Sequence, residues 1–80
     1  MTRDEANGWL VNVLIQKIRN DRYPSATQLA IIEEVLPREM VPDYLEVLME
    51  KAAQDNVPSV PLLRRIERLA ATLPAAERRR

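Results

Sequence analysis

The sequence feature that most constrains the fold is an internal similarity between the two halves of the chain. When the chain is aligned with itself at an offset of 34 residues, positions 10–36 fall on positions 44–70, and nine of these 27 positions are identical. The identities include the Asp-x-x-Pro-Ser segments that begin at Asp21 and Asp55. Similar amphipathic character would explain the apolar matches but not the matching Asp, Pro, Ser, Lys and Glu. We therefore interpret the pattern as a duplicated structural unit.

The first half has the pattern of two helices joined by the Pro-Ser segment. Thr2 followed by Glu5 forms a capping box, which predicts the start of a first helix. Pro24 disfavours helical geometry in the residue before it, and Ser25 is a good N-cap for a second helix. Pro37 then predicts the end of that helix. The first half therefore predicts a helical hairpin.

The second half predicts a helical hairpin in the same way. A third helix is expected to begin between Arg38 and Asp43, with Pro42 in its first turn. Ser59 is the expected N-cap of a fourth helix, and Pro74 is expected to stop it. Spacings of three and four residues define an apolar face on each helix. In chain order, the predicted faces comprise Leu10, Val11, Val13, Leu14, Ile15 and Ile18; Leu29, Ile32, Val35 and Leu36; Val41, Tyr44, Leu45, Val47, Leu48, Met49, Ala52 and Ala53; and Leu62, Leu63, Ile66, Leu69, Ala70 and Leu73.

These elements predict an all-α fold, a compact four-helix domain made of two tandem αα-hairpin repeats of about 34 residues. Repeat 1 spans about residues 3–36 and repeat 2 about residues 38–73, within a single helical domain of residues 1–74. Residues 75–80 are expected to form a disordered basic tail. Each hairpin has an apolar face that it cannot bury alone. The two hairpins therefore pack together, either within one chain or between two chains in a dimer.

The sequence lacks most of the side chains that enzymes commonly use for catalysis. The 80 residues contain neither Cys nor His, so thiolate and imidazole metal ligands and the commonest general base are all missing. The hydroxyls of Ser25 and Ser59 are assigned to helix caps. Glu46 and Glu50 share a helix face, which we interpret as a solvated surface. We therefore expect no enzymatic activity, no metal, no cofactor and no small-molecule substrate.

The sequence pattern also indicates in which cellular compartment the protein is located. Every apolar run is far shorter than the roughly 20 residues that span a bilayer, so no membrane segment is expected. The sequence begins with charged and polar residues, without the basic and then apolar pattern of a signal peptide. Small secreted domains usually carry disulfides, which a chain without Cys cannot form. A soluble, cytoplasmic protein is the expectation.

Charge is distributed unevenly along a chain whose net charge is zero. Residues 31–56 carry a net charge of −5 and residues 57–80 one of +4. On the predicted fourth helix, Arg64, Arg65 and Arg68 cluster opposite the apolar face. Such a cluster, with the arginines of the tail, is suited to nucleic-acid contact, but the acidic segment would repel a phosphate backbone. The favoured interpretation is complementarity between the fourth helix and the acidic third helix of the same or a neighbouring molecule.

Two further residues are candidates for partner binding. Trp9 either packs across the end of the helix bundle or stays exposed as an interface anchor. The apolar face of the first helix, which includes Ile15 and Val11, is wider than a surface helix needs, and this surplus is available for an interface. The sequence therefore predicts a non-catalytic protein–protein interaction module, regulatory, adaptor or assembly in role. Its partner is another protein or a second copy in a homodimer. The alternative is a weak nucleic-acid-binding protein that uses the basic fourth helix and the Arg-rich tail.

Overall fold

Four α-helices and a short 3₁₀ turn form the part of the chain described by the computed structural model, which comprises residues 1–21 and 24–74. The helices are α1 (Arg3–Asn20), α2 (Ala26–Val35), α3 (Val41–Gln54) and α4 (Val60–Ala70), and the 3₁₀ turn at Arg38–Met40 leads directly into α3. No strand occurs within these residues. The predicted all-α, four-helix class is thereby confirmed. The duplication and the division into repeats stay predictions from the sequence.

The helix starts lie where the capping residues predicted them. The Thr2 hydroxyl accepts the backbone N–H of Glu5 at 3.1 Å, and the Glu5 carboxylate accepts that of Thr2 at 2.8 Å. Ser25 and Gln28 form the same reciprocal pair at the start of α2. Ser59 caps α4 by accepting the N–H three residues further along, at 3.2 Å. These bonds satisfy N–H groups that the first helical turn leaves without partners.

The end of α4 differs from the prediction. The regular helix stops at Ala70 and does not continue up to Pro74. The backbone N–H groups of Thr72 and Leu73 instead bond to the carbonyls three residues earlier, and the Thr72 hydroxyl donates to the Leu69 carbonyl at 2.7 Å. A tightened final turn thus replaces the last expected helical turn. The predicted disordered tail, residues 75–80, lies outside the described residues.

Helix α1 packs against α2 and α3, and α3 also packs against α4. The buried Lys51 on α3 donates from Nζ to the Arg19 carbonyl at 2.8 Å and so places a cation at the C-terminal end of α1. Among the described residues, no helix has the length and apolar character needed to cross a membrane. The core cluster of buried side chains comprises Val11, Ile15, Ile18, Leu29, Ile32, Tyr44, Val47 and Leu48.

The position of Ile15 corrects one sequence expectation. Ile15 is 3% exposed and Val11 is fully buried, and both belong to the core cluster. The two residues are therefore not surplus apolar surface and do not form an interface in the folded chain. The wide apolar face of α1 has a simpler physical reason. This helix packs against two neighbours, α2 and α3, so it needs apolar residues in two directions.

Adjacent isoleucines in α2 provide a test of this core. Ile32 is fully buried, whereas Ile31 is 44% exposed. We predict that Ile32→Ala lowers the free energy of unfolding by about 2–5 kcal/mol, because it removes buried methyl groups and leaves a cavity. Ile31→Ala is the matched control and should cost less than about 1 kcal/mol. Urea denaturation of both variants checks this, and equal losses would contradict the placement of α2.

Candidate interaction surface

A hydrogen-bonded cluster centred on Glu33 joins three helices. The carboxylate oxygen Oε2 of Glu33, on α2, accepts the hydroxyl of Tyr44 of α3 at 2.7 Å and Nη1 of Arg65 of α4 at 2.6 Å. The Leu29 carbonyl lies 3.4 Å from the same hydroxyl. The ion pair therefore links α2 directly with α4.

Burial determines the electrostatics of the Glu33 cluster. Tyr44 has no exposed surface, and the side chains of Arg65 and Glu33 are only 16% and 18% exposed. Burial, followed by the hydrogen bond to Glu33, raises the pKa of the Tyr44 hydroxyl well above its ordinary value. The hydrogen bond to Glu33 also raises the pKa of Arg65. The cluster thus holds a neutral phenol and a permanent cation against one carboxylate.

The structure separates the three arginines that the sequence grouped together. Arg65 turns inward to Glu33, whereas Arg64 and Arg68 are exposed on the outer side of α4. The basic helix does pack on acidic α3, but the ion pair of Arg65 goes to a carboxylate of α2. Glu67, also exposed, lies between the two outer arginines in the sequence. The outer side of α4 is therefore net positive, with two cations and not three.

Apolar side chains accompany these charges on α4. Val60 is 59% exposed and Leu63 is 45% exposed, and they form a shallow groove with Arg64 and Glu67. Val57, just before the helix, is 86% exposed. Leu63 was predicted to be part of the buried face, and this was wrong. The helix buries Leu62, Ile66 and Leu69 in part against the core, and Leu63 points to a different side.

The exposed side of α3 is apolar with an acidic rim. Met49 is 48% exposed, although the sequence placed it in the apolar face. Met49, Pro42 and Ala53 line a shallow groove together with Glu46 and Glu50. Glu50 lies 3.8 Å from Arg19 of α1, a long contact between side chains that are 45% and 40% exposed. Exposed pairs of this kind contribute little to stability, so the acidic rim is available to a partner.

The exposed sides of α3 and α4 face the same direction. Tyr44 and Arg65 both reach Glu33, so they mark the sides of α3 and α4 that face α2. On α3, Met49 follows Tyr44 by five positions and so points about 140° away from the direction of Tyr44. On α4, Leu63 precedes Arg65 by two positions, which is a rotation of about 200° from the direction of Arg65. Both therefore point away from α2. We call this surface the α3–α4 outer face; its members are Glu46, Met49 and Glu50 on α3 and Val60, Leu63, Arg64 and Glu67 on α4.

Trp9 does not belong to this surface. Its side chain is 66% exposed, so it does not pack across the end of the bundle. Trp9 precedes the core residue Val11 by two positions and so lies on the outer side of α1, which does not contact α4. Of the five predicted binding residues, only Arg64 lines the groove of the α3–α4 outer face.

Sequence reasoning missed the Glu33 cluster and the exposure of Met49. The signal for Met49 was present, because the apolar set predicted for α3 covers more directions than one helix face can bury. No local pattern could reveal the cluster, since its members are 11 and 32 residues apart from Glu33. In the described part of the chain, every buried side-chain nitrogen or oxygen has a hydrogen-bond partner, and no group of acidic residues is placed to hold a metal ion.

Adjacent arginines test the Glu33 cluster. Arg65→Gln should lower the free energy of unfolding by about 1–3 kcal/mol, because it leaves a largely buried carboxylate without its cation. Arg64→Gln, one position away and exposed, should change it by no more than about 0.5 kcal/mol. Urea denaturation at low protein concentration measures both. Similar losses for the two variants would show that Arg65 has no special structural role.

Because the pKa of the Tyr44 hydroxyl is raised, we expect the folded chain to lose stability at high pH. Its pKa is raised in the folded chain, so the unfolded chain loses this proton first, near the ordinary tyrosine value of about 10. The contribution of the protonated Tyr44 hydroxyl to the free energy of unfolding is complete below that pH and declines above it. Between about pH 9 and pH 11, the native chain should lose roughly 1 kcal/mol more stability than Tyr44→Phe. If the free energies of unfolding of the native chain and of Tyr44→Phe change in parallel with pH, this prediction is wrong.

Comparison of the chain with protein-family profiles, with curated proteins and with solved structures gave no match in any of the three. The interpretation of the α3–α4 outer face therefore depends on its own geometry, charge and exposure.

Proposed function

We propose that this chain is a non-catalytic protein–protein interaction module that binds through the α3–α4 outer face. The observation that carries the proposal is the exposure of Met49, Val60 and Leu63 on one side of the helix pair. Glu46 and Glu50 border these side chains on α3, and Arg64 and Glu67 border them on α4. Exposed apolar side chains that are grouped and bordered by charges are typical of interaction sites. A regulatory, adaptor or assembly role fits a surface of this kind.

The chemistry of the described residues supports a role without catalysis. A groove of about 360 Å³ lies between the segments before α2 and before α4, lined mainly by apolar residues and by Lys51 and Arg65. Both cations are already engaged, Lys51 by the Arg19 carbonyl and Arg65 by Glu33. A sequence without His or Cys offers neither an imidazole base nor a thiolate nucleophile. We propose a cytoplasmic setting, because small secreted domains usually carry disulfides.

Nucleic-acid binding is the second candidate, and the exposure of Arg64 and Arg68 on one helix favours it. Two considerations reduce its support. Arg65 is already paired with Glu33 and so is not available to a phosphate. The neighbouring rim of α3 carries Glu46 and Glu50, which repel phosphates. A protein partner can use both signs of charge on this face, whereas a nucleic acid can use only one.

Site-specific photo-crosslinking tests the proposal. A photoreactive benzoylphenylalanine at position 63 should give protein adducts in expressing cells, because Leu63 lies within the α3–α4 outer face. The matched control is position 31, where Ile31 is 44% exposed against 45% for Leu63 but lies on α2. The adducts should be weaker from position 31 and weaker when Arg64→Glu is added, because Arg64 lines the same groove as Leu63.

The pattern of adducts separates the two candidates. Equal protein adducts from positions 63 and 31, or none from either, would contradict an interaction module that uses this face. Nuclease-sensitive adducts from position 63 that disappear with Arg64→Glu and Arg68→Glu would favour the nucleic-acid candidate instead.

A further inference from the structure

We propose that α4 and the turn that follows it, residues 60–74, form an arm that opens away from the other helices as one unit, while α1, α2 and α3 stay folded. Part of the α3–α4 outer face lies on this arm, so the complete face exists only while the arm is closed. The opening does not depend on the proposed function, whereas its consequence for a partner rests on it. Three features of the arm support the opening: its small buried surface, the way it is joined to the chain, and the contacts that hold it closed.

The arm buries less than any of the other three helices. Each of α1, α2 and α3 contains fully buried side chains, whereas no side chain of the arm is buried. Leu62, Ile66 and Leu69 are covered only in part where they pack against the core. The two leucines aligned by the 34-residue offset show the difference, because Leu29 of α2 is 6% exposed and Leu63 of α4 is 45% exposed. Segments with few buried apolar contacts open at a lower free energy than the whole chain unfolds.

The arm is joined to the other helices through one short segment, residues 55–58. Val57 is 86% exposed. No backbone hydrogen bond between described residues involves Asn56, Val57 or Pro58. No described helix follows the arm. Rotation about the backbone of this one segment is therefore enough to move the arm, and no later helix in the described part of the chain opposes the movement.

One polar contact and partial apolar packing hold the arm closed. Among the described residues, the arm forms a single ion pair with the other helices, in which Arg65 donates to Glu33 of α2 at 2.6 Å. Both side chains are largely buried, so the pair is stronger than an exposed one, but it is one bond between two side chains. The closed arm is therefore favoured without being fixed by a core residue of its own.

Closure of the arm couples the position of α4 to binding on the outer face. Met49 lies on α3, which stays in place, whereas Leu63 lies on the arm. A partner that contacts both residues binds only the closed form and so shifts the equilibrium toward closure. Arg65 points about 200° away from Leu63 around α4. Its ion pair therefore regulates the outer face without contact with the partner.

Native-state hydrogen exchange of the full chain, measured by NMR without a partner, tests the opening. An isolated helix of 11 residues is marginal in water, so α4 loses its helical hydrogen bonds when the arm opens. The backbone amides of α4 should therefore share similar protection factors. These should be about tenfold or more below the protection factors of amides in the middle of α1 and α3.

Two substitutions distinguish opening of the arm from unfolding of the whole chain. Ile15→Val removes a buried methyl group from α1, which stays packed in the open form. It should lower the protection of α1 and α3 amides by about twofold to tenfold and leave that of α4 amides unaltered. Arg65→Gln removes a bond that only the closed form makes, so it should lower the protection of α4 amides by about fivefold or more. Arg64→Gln, the exposed neighbour, is the control and should change neither group.

Two results would overturn the proposed arm: α4 amides that are as well protected as those of α1 and α3, and an Ile15→Val effect that is equal on α4 and on α1. Either result would mean that α4 opens only when the whole chain unfolds. The proposed function is tested separately by crosslinking. If α4 shows no separate opening but position 63 still forms protein adducts, the interaction module stands and only the arm is wrong. If α4 opens but no adducts form, the arm stands and the interaction module is wrong.

Discussion

The carboxylate of Glu33 receives hydrogen bonds from Tyr44 and Arg65 and so connects α2 with α3 and α4. The direction of Arg65 and the burial of Leu62, Ile66 and Leu69 agree on one rotation of α4 about its own axis. In this rotation Leu63 and Val60 are turned outward. Arg64 and Glu67 lie beside them, so the same rotation gives the α3–α4 outer face its composition on α4.

The ion pair also explains why the two halves of the sequence are not equivalent in space. At an offset of 34 residues, Arg65 aligns with Ile31, and Leu63 aligns with Leu29. In the first half the leucine is buried and the isoleucine is partly exposed; in the second half the leucine is partly exposed and the arginine reaches inward. A largely buried arginine needs a carboxylate partner, and Arg65 has one in Glu33 of α2. The hairpins thus share helix starts and turns but present different faces to their surroundings.

An exposed apolar surface bordered by charged side chains on two neighbouring helices has the properties of an interaction site. Apolar contact supplies attraction without direction, and the charges supply orientation. For a chain of 80 residues with a small core, binding a partner also buries more apolar surface. The proposed function follows from this combination.

The sequence by itself determined the fold class and the N-caps of α1, α2 and α4, because capping bonds such as Thr2–Glu5 and Ser25–Gln28 join residues only three positions apart. It also identified Arg64 and Arg68 as surface residues, since they lie opposite the apolar face of α4. Only the tertiary structure decided that Ile15 is in the core, that Leu63 and Met49 are exposed, and that Arg65 pairs with Glu33. The physical reason is that helical periodicity defines which residues share a side of a helix, whereas burial depends on how many neighbours that side meets. Those neighbours come from distant parts of the chain, so local pattern cannot specify them.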